Sequence, residues 1–305
     1  MLNIFISIIP IFMLIVTGYI IKLYFIKDTD FWDKIEHLVY YFLLPILLVK
    51  SIINAKLDSV NILDYIIVLL LPTLLVAIIL VTLKKYTKFK NRDFTSIFQG
   101  SIRYNSYVLL SVLLILLPNN GMLYFGIITI VMIITTNLLS VFILSIYSEG
   151  KYDIDWKKVI KKIIYNPLIF SSVIGLLLNL VGFKLPNILQ TYFTYISSAA
   201  LTLSLLAVGA GLKLNTVNSD KVYIFIPVVI KLLILPLLYY FAVSMIYLDN
   251  SSKISILIYA SVPTAGNAYI LAKQMGGNHS LMASIVTFTM LISIITIPLV
   301  LYISS

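Results

Sequence analysis

The sequence predicts an all-α polytopic membrane protein of ten transmembrane helices, arranged as two inverted five-helix repeats. Three observations carry this. The 305 residues are 61% hydrophobic and only 11% charged, with a mean hydropathy of +1.05, more apolar surface than any soluble domain needs. Ten stretches approach the roughly 20 apolar residues that cross hydrocarbon as a helix. Proline, glycine and asparagine landmarks of the first five stretches recur, in order, in the last five.

The ten spans run over residues 2–25, 35–55, 62–83, 94–117, 122–147, 165–183, 190–212, 222–247, 254–273 and 280–303. Their connections are short, so no extramembrane domain is expected. The chain divides into a first repeat over 1–150, a cytoplasmic interfacial linker over 151–164 and a second, inverted repeat over 165–305. In the linker, Trp156, Val159, Ile160, Ile163 and Ile164 share one helical face and the lysines take the other. That pattern suits an amphipathic helix lying on an anionic leaflet. The first apolar run lacks a basic leader and is long enough to span, so it reads as a retained helix and not a cleaved signal.

Orientation follows the cations. One loop carries Lys84, Lys85, Lys88, Lys90 and Arg92; another carries Lys151, Lys157, Lys158, Lys161 and Lys162. They follow spans three and five, so they lie on one side, the cytoplasmic one, and both termini lie outside the cell membrane. The net charge of +10 is thereby explained by topology, and a nucleic-acid partner is not expected. With no cysteine, disulfides, thiolate nucleophiles and Cys-ligated metals are excluded.

The repeat is read from offsets. Pro10 and Gly18 in span one match Pro167 and Gly175 in span six, 157 residues on. Pro72 matches Pro236 at an offset of 164, and Asn105 matches Asn267 at 162. Five spans per unit is an odd number, so the second unit enters the membrane from the opposite side. Such inverted repeats mark secondary transporters, whose sites lie mid-membrane between the repeats.

Spans four and nine hold the polar phrases "RYNSYVLL" (Arg103–Leu110) and "AGNAYILA" (Ala265–Ala272). In span nine, Pro263, Gly266 and Asn267 fall within five residues. Proline removes a backbone donor and glycine eases departure from helical geometry, so the helix breaks there. In span four only Gly100 precedes the polar run, and a break there is left open. Each broken half would expose N–H groups at its new N-terminus. The twelve acids fall in loops or at helix ends, whereas Arg103 and Lys231 lie inside spans. Buried cations without a buried acid favour an anion.

Plainer readings stand beside these. Asn105 and Asn267 would also serve as interhelical hydrogen-bonding groups, Arg103 as a residue reaching toward the inner interface, and Lys231 as a partner of backbone carbonyls, beside its reading as a direct ligand or a charge and gating residue. Tyr107 and Tyr269 are packing residues or walls of a site. No Ser–His–Asp set, metal cluster or phosphate loop can be assembled, so no enzyme activity, metal or cofactor is expected.

Four stretches, "QGSIRYNSY" (Gln99–Tyr107), "YNPLIFSSVIGLLLN" (Tyr165–Asn179), "LLAVGAGLKL" (Leu205–Leu214) and "SVPTAGNAYILAKQMGG" (Ser261–Gly277), resemble the auxin efflux carrier family, which includes bacterial organic-acid permeases and PIN-type auxin carriers. The resemblance covers the whole chain. It implies a fold like that of sodium/proton antiporters and bile-acid symporters, with broken helices four and nine crossing. It implies transport of a small organic anion by alternating access, malate-like or auxin-like, and a homodimer. It supports Asn105, Pro263 and Asn267 as crossover residues. The expected substrate-binding set is Arg103, Asn105, Tyr107, Pro263, Thr264, Gly266, Asn267 and Tyr269. Coupling to Na⁺ or H⁺, or a ligand-sensing role on the same fold, is left as an alternative. The family's Gly and Pro downstream of the first Asn are missing over Val108–Leu117, which implies a straighter, tighter second half of span four.

Overall fold

A computed structural model of the chain describes residues 2–54, 61–148, 164–213 and 221–304, with positions 157, 160 and 161. Apart from those positions and 164, the linker expected over 151–164 lies outside the described residues, as do Lys56, Asp58, Glu149 and Asp220.

The described residues form helices and no strands. They are α1 (Leu2–Tyr24), α2 (Thr29–Ile53), α3 (Ile62–Lys84), α4 (Asn91–Ile102), α5 (Ser106–Leu116) and α6 (Gly121–Tyr147) in the first half. In the second come α7 (Pro167–Leu180), α8 (Asn187–Ala210), α9 (Lys221–Met245), α10 (Asn250–Ser261), α11 (Ala268–Gln274) and α12 (His279–Ser304). Seven of them, α1, α2, α3, α6, α8, α9 and α12, are long and apolar enough to cross a membrane. α7 is a shorter apolar helix, and α4–α5 and α10–α11 are pairs of short helices separated by extended backbone.

Helix starts follow from short polar side chains. Asn166 accepts hydrogen bonds from the amides of Leu168 and Ile169 at 3.0 and 3.3 Å, ahead of Pro167, which suits a first helical position. Asp249 accepts from Ser252 N at 3.1 Å to open α10, and Asn278 from Leu281 N at 3.0 Å to open α12. Two helices contain a π-helical turn, Val39–Leu43 in α2 and Ile230–Ile234 in α9. Each is followed by a proline at the second position, Pro45 or Pro236. A proline cannot donate to the carbonyl one turn back, so the ladder widens, and Leu44 N and Leu235 N reach back five residues to Val39 O and Ile230 O.

α1 packs extensively on α8, and α2 on α7. Glycine makes both possible. A Cβ on Gly18 would collide with the Leu206 carbonyl of α8, and one on Gly209 with the Ile15 carbonyl of α1. Gly175 of α7 sits against Ile52 and Val49 of α2. The second pair is also tied by Asn179, whose Nδ2 donates to the carbonyls of Ile52 and Ile53 at 2.9 and 2.8 Å.

The first broken pair lies deep in the fold. Every residue of α4 from Asp93 to Ile102 is buried, as is Tyr107–Leu113 of α5.

Candidate functional site

Both polar phrases lie in breaks, and the breaks touch. α4 ends at Ile102, where Arg103 turns extended (φ −75°, ψ 154°), and α5 begins after Asn105. The question left open by the sequence is answered by Asn105 itself: its Oδ1 accepts from the amides of Tyr107 and Val108, both at 3.1 Å. A capping side chain starts a new helix without any proline. In the second half, α10 ends at Ser261, Val262 turns extended (φ −70°, ψ 151°), and α11 begins after Asn267.

Asn105 N donates to Pro263 O at 2.8 Å, so one break hydrogen-bonds the other through backbone. Thr264 Oγ1 donates to Gly100 O at 2.7 Å, and Thr264 N donates to Thr289 Oγ1 of α12 at 3.2 Å. Thr264 thus fastens the crossing with both of its donors. Arg103 Nη2 donates to Asn267 Oδ1 at 3.0 Å, joining the two phrases by side chains as well.

Arg103 is 5% exposed, and its Nε and Nη1 have no hydrogen-bond partner among the described residues. The titratable groups nearby are the phenols of Tyr40 and Tyr104. The ion pair found among the described residues, Lys34–Asp30, is on the exposed part of α2. Asn267 and Gly266 are exposed, and a Cβ on Gly266 would meet nothing within 4 Å. The break therefore faces open space on this side. With Asn267 Oδ1 occupied by Arg103, what the pair offers is N–H donors.

Other expected site residues divide. Arg103, Asn105, Pro263, Thr264 and Asn267 are brought together. Tyr107 is buried at 8% exposure next to them in α5. Tyr269 is half-buried in a different setting, with Lys213 Nζ 4.0 Å from its ring centre and the His279 ring at 5.7 Å. The α5 N-terminus does not meet the expectation of free amides, because Asn105 already accepts from two of them. Lys231 is fully buried in the π turn of α9, with Nζ donating to Ala260 O at 3.2 Å.

One functional candidate was not legible. Glu36, read from sequence as a helix-end residue, is half-buried in α2 and lies within electrostatic reach of Tyr40 and Tyr107. Its four-residue spacing from Tyr40 was the available signal. Tyr40 sits in the α2 π turn and accepts from Asn166 Nδ2 at 2.9 Å.

Below the crossing, the starts of α4 and α12 are latched. Asn278 Nδ2 donates to Asp93 Oδ1 at 2.6 Å and Ser96 Oγ to Asn278 O at 2.7 Å. A cavity of about 660 Å³ opens here, lined by Lys90, Asn91, Arg92, Asp93, Asn278 and His279. Its two cations, Lys90 and Arg92, outnumber its single carboxylate, Asp93, so the potential inside it favours anions.

Residues 3–301 match the family model described as membrane transport protein. The chain belongs to the membrane transport protein family. This is the family of the auxin efflux carriers that its motifs resemble, and it makes the chain a multi-pass membrane protein. A Rhizobium meliloti (strain 1021) relative named "Putative malonate transporter" is 29% identical over 146 residues, 47% of this chain and 45% of the relative. The match thus spans about half the length of each membrane transport protein.

Proposed function

We propose that the protein is a secondary transporter that moves a small organic anion across the cell membrane by alternating access. In this reading ten membrane-crossing segments form two inverted halves, 1–150 and 165–305, joined through 151–164, with both termini outside. Spans four and nine are α4–α5 and α10–α11. The helix pairs support the inversion. Span one of the first half packs on span two of the second (α1 with α8), and span two of the first on span one of the second (α2 with α7). A two-fold relation between the halves pairs helices in this reciprocal way.

The observation that carries the substrate class is the buried Arg103, held at the crossing by Asn267 with two donor nitrogens unused and no carboxylate partner. A guanidinium presents a planar fork that matches a carboxylate. At an effective dielectric near 20, opposite unit charges about 4 Å apart attract by about 4 kcal/mol, or roughly three powers of ten in affinity. Asn105, Pro263 and Thr264 set the backbone; Arg103 and Asn267 hold the anion, with Tyr107 as a wall. The relative's name makes malonate the first substrate to test, and its short dicarboxylate suits two donor-rich side chains.

The test is uptake of labelled malonate by proteoliposomes containing the purified chain. Wild type accumulates it, and Arg103→Ala and Asn267→Ala abolish accumulation while remaining folded by circular dichroism and gel filtration. Unchanged uptake by both variants removes the anion site from the crossing.

A further inference from the structure

Lys231 is used by nothing above. Its side chain is 0% exposed, its Nζ donates to Ala260 O at 3.2 Å, and it lies over the Tyr259 ring at 5.4 Å. Ala260 is in the last turn of α10, three residues before Pro263, so Lys231 stands at the edge of the crossing. The Tyr259 ring meets that of Tyr104 at 4.9 Å, and Tyr104 adjoins Arg103. A short path of contacts thus runs from Lys231 to the anion site.

The helices packed on the π turn are α4, α10 and α12. On α4 the charges are Arg92 and Asp93 at the far end, Asp93 being bound to Asn278, with Arg103 just beyond its C-terminus. α10 carries Lys253 in its first turn and Tyr259 against Lys231. α12 carries His279 at its start, against Tyr269, and Tyr302 near its end. Along α9 itself stand Lys221, Tyr223, Tyr239 and Tyr240. No carboxylate faces Lys231 among the described residues.

An ammonium buried without a counter-charge is costly, whereas the neutral amine is not. A carboxylate seated at Arg103 brings negative charge into the same low-dielectric core and reverses that preference. We propose that Lys231 carries the coupled proton of a proton–anion symport, neutral when the crossing is empty and protonated when an organic anion is bound. The step balances simply: the amine lone pair takes one proton from the solution that supplies the anion, one positive charge is gained, and the proton leaves with the anion on the other side. This rests on the anion site proposed above.

A purely structural lysine would cap the α10 carbonyls, and arginine can do that while keeping its charge. Lys231→Arg therefore separates the two roles. Malonate binding to the purified full chain is measured by calorimetry at pH 8, in buffers of different ionisation enthalpy. Wild type takes up one proton per malonate; Lys231→Arg and Lys231→Met take up none. In proteoliposomes an acid-outside gradient speeds malonate entry several-fold in wild type and not in Lys231→Arg, which still exchanges malonate for malonate. Equal proton uptake by wild type and both variants overturns the inference.

If wild type binds no malonate, the anion site fails separately, and Lys231 is then judged without ligand. A lysine neutral in the fold and charged in the unfolded chain makes the unfolded state bind one more proton, so stability rises with pH. Melting midpoints of wild type then climb with pH relative to Lys231→Met. Parallel curves overturn the proposal.

Discussion

Asn105 donates its backbone amide to the carbonyl oxygen of Pro263 at 2.8 Å, and 158 residues of chain separate the two. Neither group has a helical partner. Asn105 stands before the first turn of α5, and the carbonyl of Pro263 stands beyond the last turn of α10. Each break supplies what the other lacks, which makes two interruptions tolerable in a hydrocarbon environment where one alone would leave polar backbone unmet.

Asn105 also caps α5 through its side chain, and that role can be isolated. Asn105→Ala lowers stability by about 1 kcal/mol for the cap and slows malonate uptake. Asn105→Ser, whose hydroxyl also caps, recovers most of the loss in melting temperature.

Thr264 has its hydroxyl on Gly100 O at 2.7 Å, in a site with no solvent exposure. Thr264→Val keeps the shape and leaves that carbonyl without its donor. The expected cost is roughly 1–3 kcal/mol, read as a fall in melting temperature, while Thr264→Ser stays close to wild type.

Arg103→Lys tests geometry apart from charge. The cation survives, but the fork that joins Asn267 at 3.0 Å is lost. Malonate KM should rise roughly tenfold or more, because an ammonium cannot hold Asn267 and a bidentate carboxylate together. An unchanged KM with normal folding would remove the guanidinium from substrate binding.

Asn179 gives the contrasting case. It satisfies the last carbonyls of α2, at Ile52 and Ile53, well outside the crossing. Asn179→Leu should destabilise by roughly 1–3 kcal/mol for each carbonyl left bare and leave malonate KM unchanged. A shift in KM would mean that the α2–α7 contact and the crossing move together.

Much of the crossing was legible because its signals are local. Pro263 with Gly266 announces a break by chemistry alone, and Arg103 in an apolar stretch announces a buried charge. The break in span four was harder, since its cause is the Asn105 side chain turning onto Tyr107 and Val108, and asparagine in a helix does not always do so. The π turns were missed because Pro45 and Pro236 are compatible with a plain kink. Glu36 was sorted by its place near a helix start, and its electrostatic influence on Tyr107 arises only in the folded chain. Thr264 looked like a ligand contact. That its donors are spent on Gly100 and Thr289 is a tertiary fact invisible in the chain.

The glycine contact between α1 and α8 bears on how the molecule is made. Gly18 and Gly209 press against each other's helices, yet 191 positions separate them. At about 5–20 residues per second, α8 emerges roughly 10–40 s after α1. Until then the face of α1 around Gly18 lacks its partner helix. Replacing Gly18 with leucine would cover that face while blocking the later approach, so its damage should show first as newly made chains captured by membrane proteases rather than as slow transport.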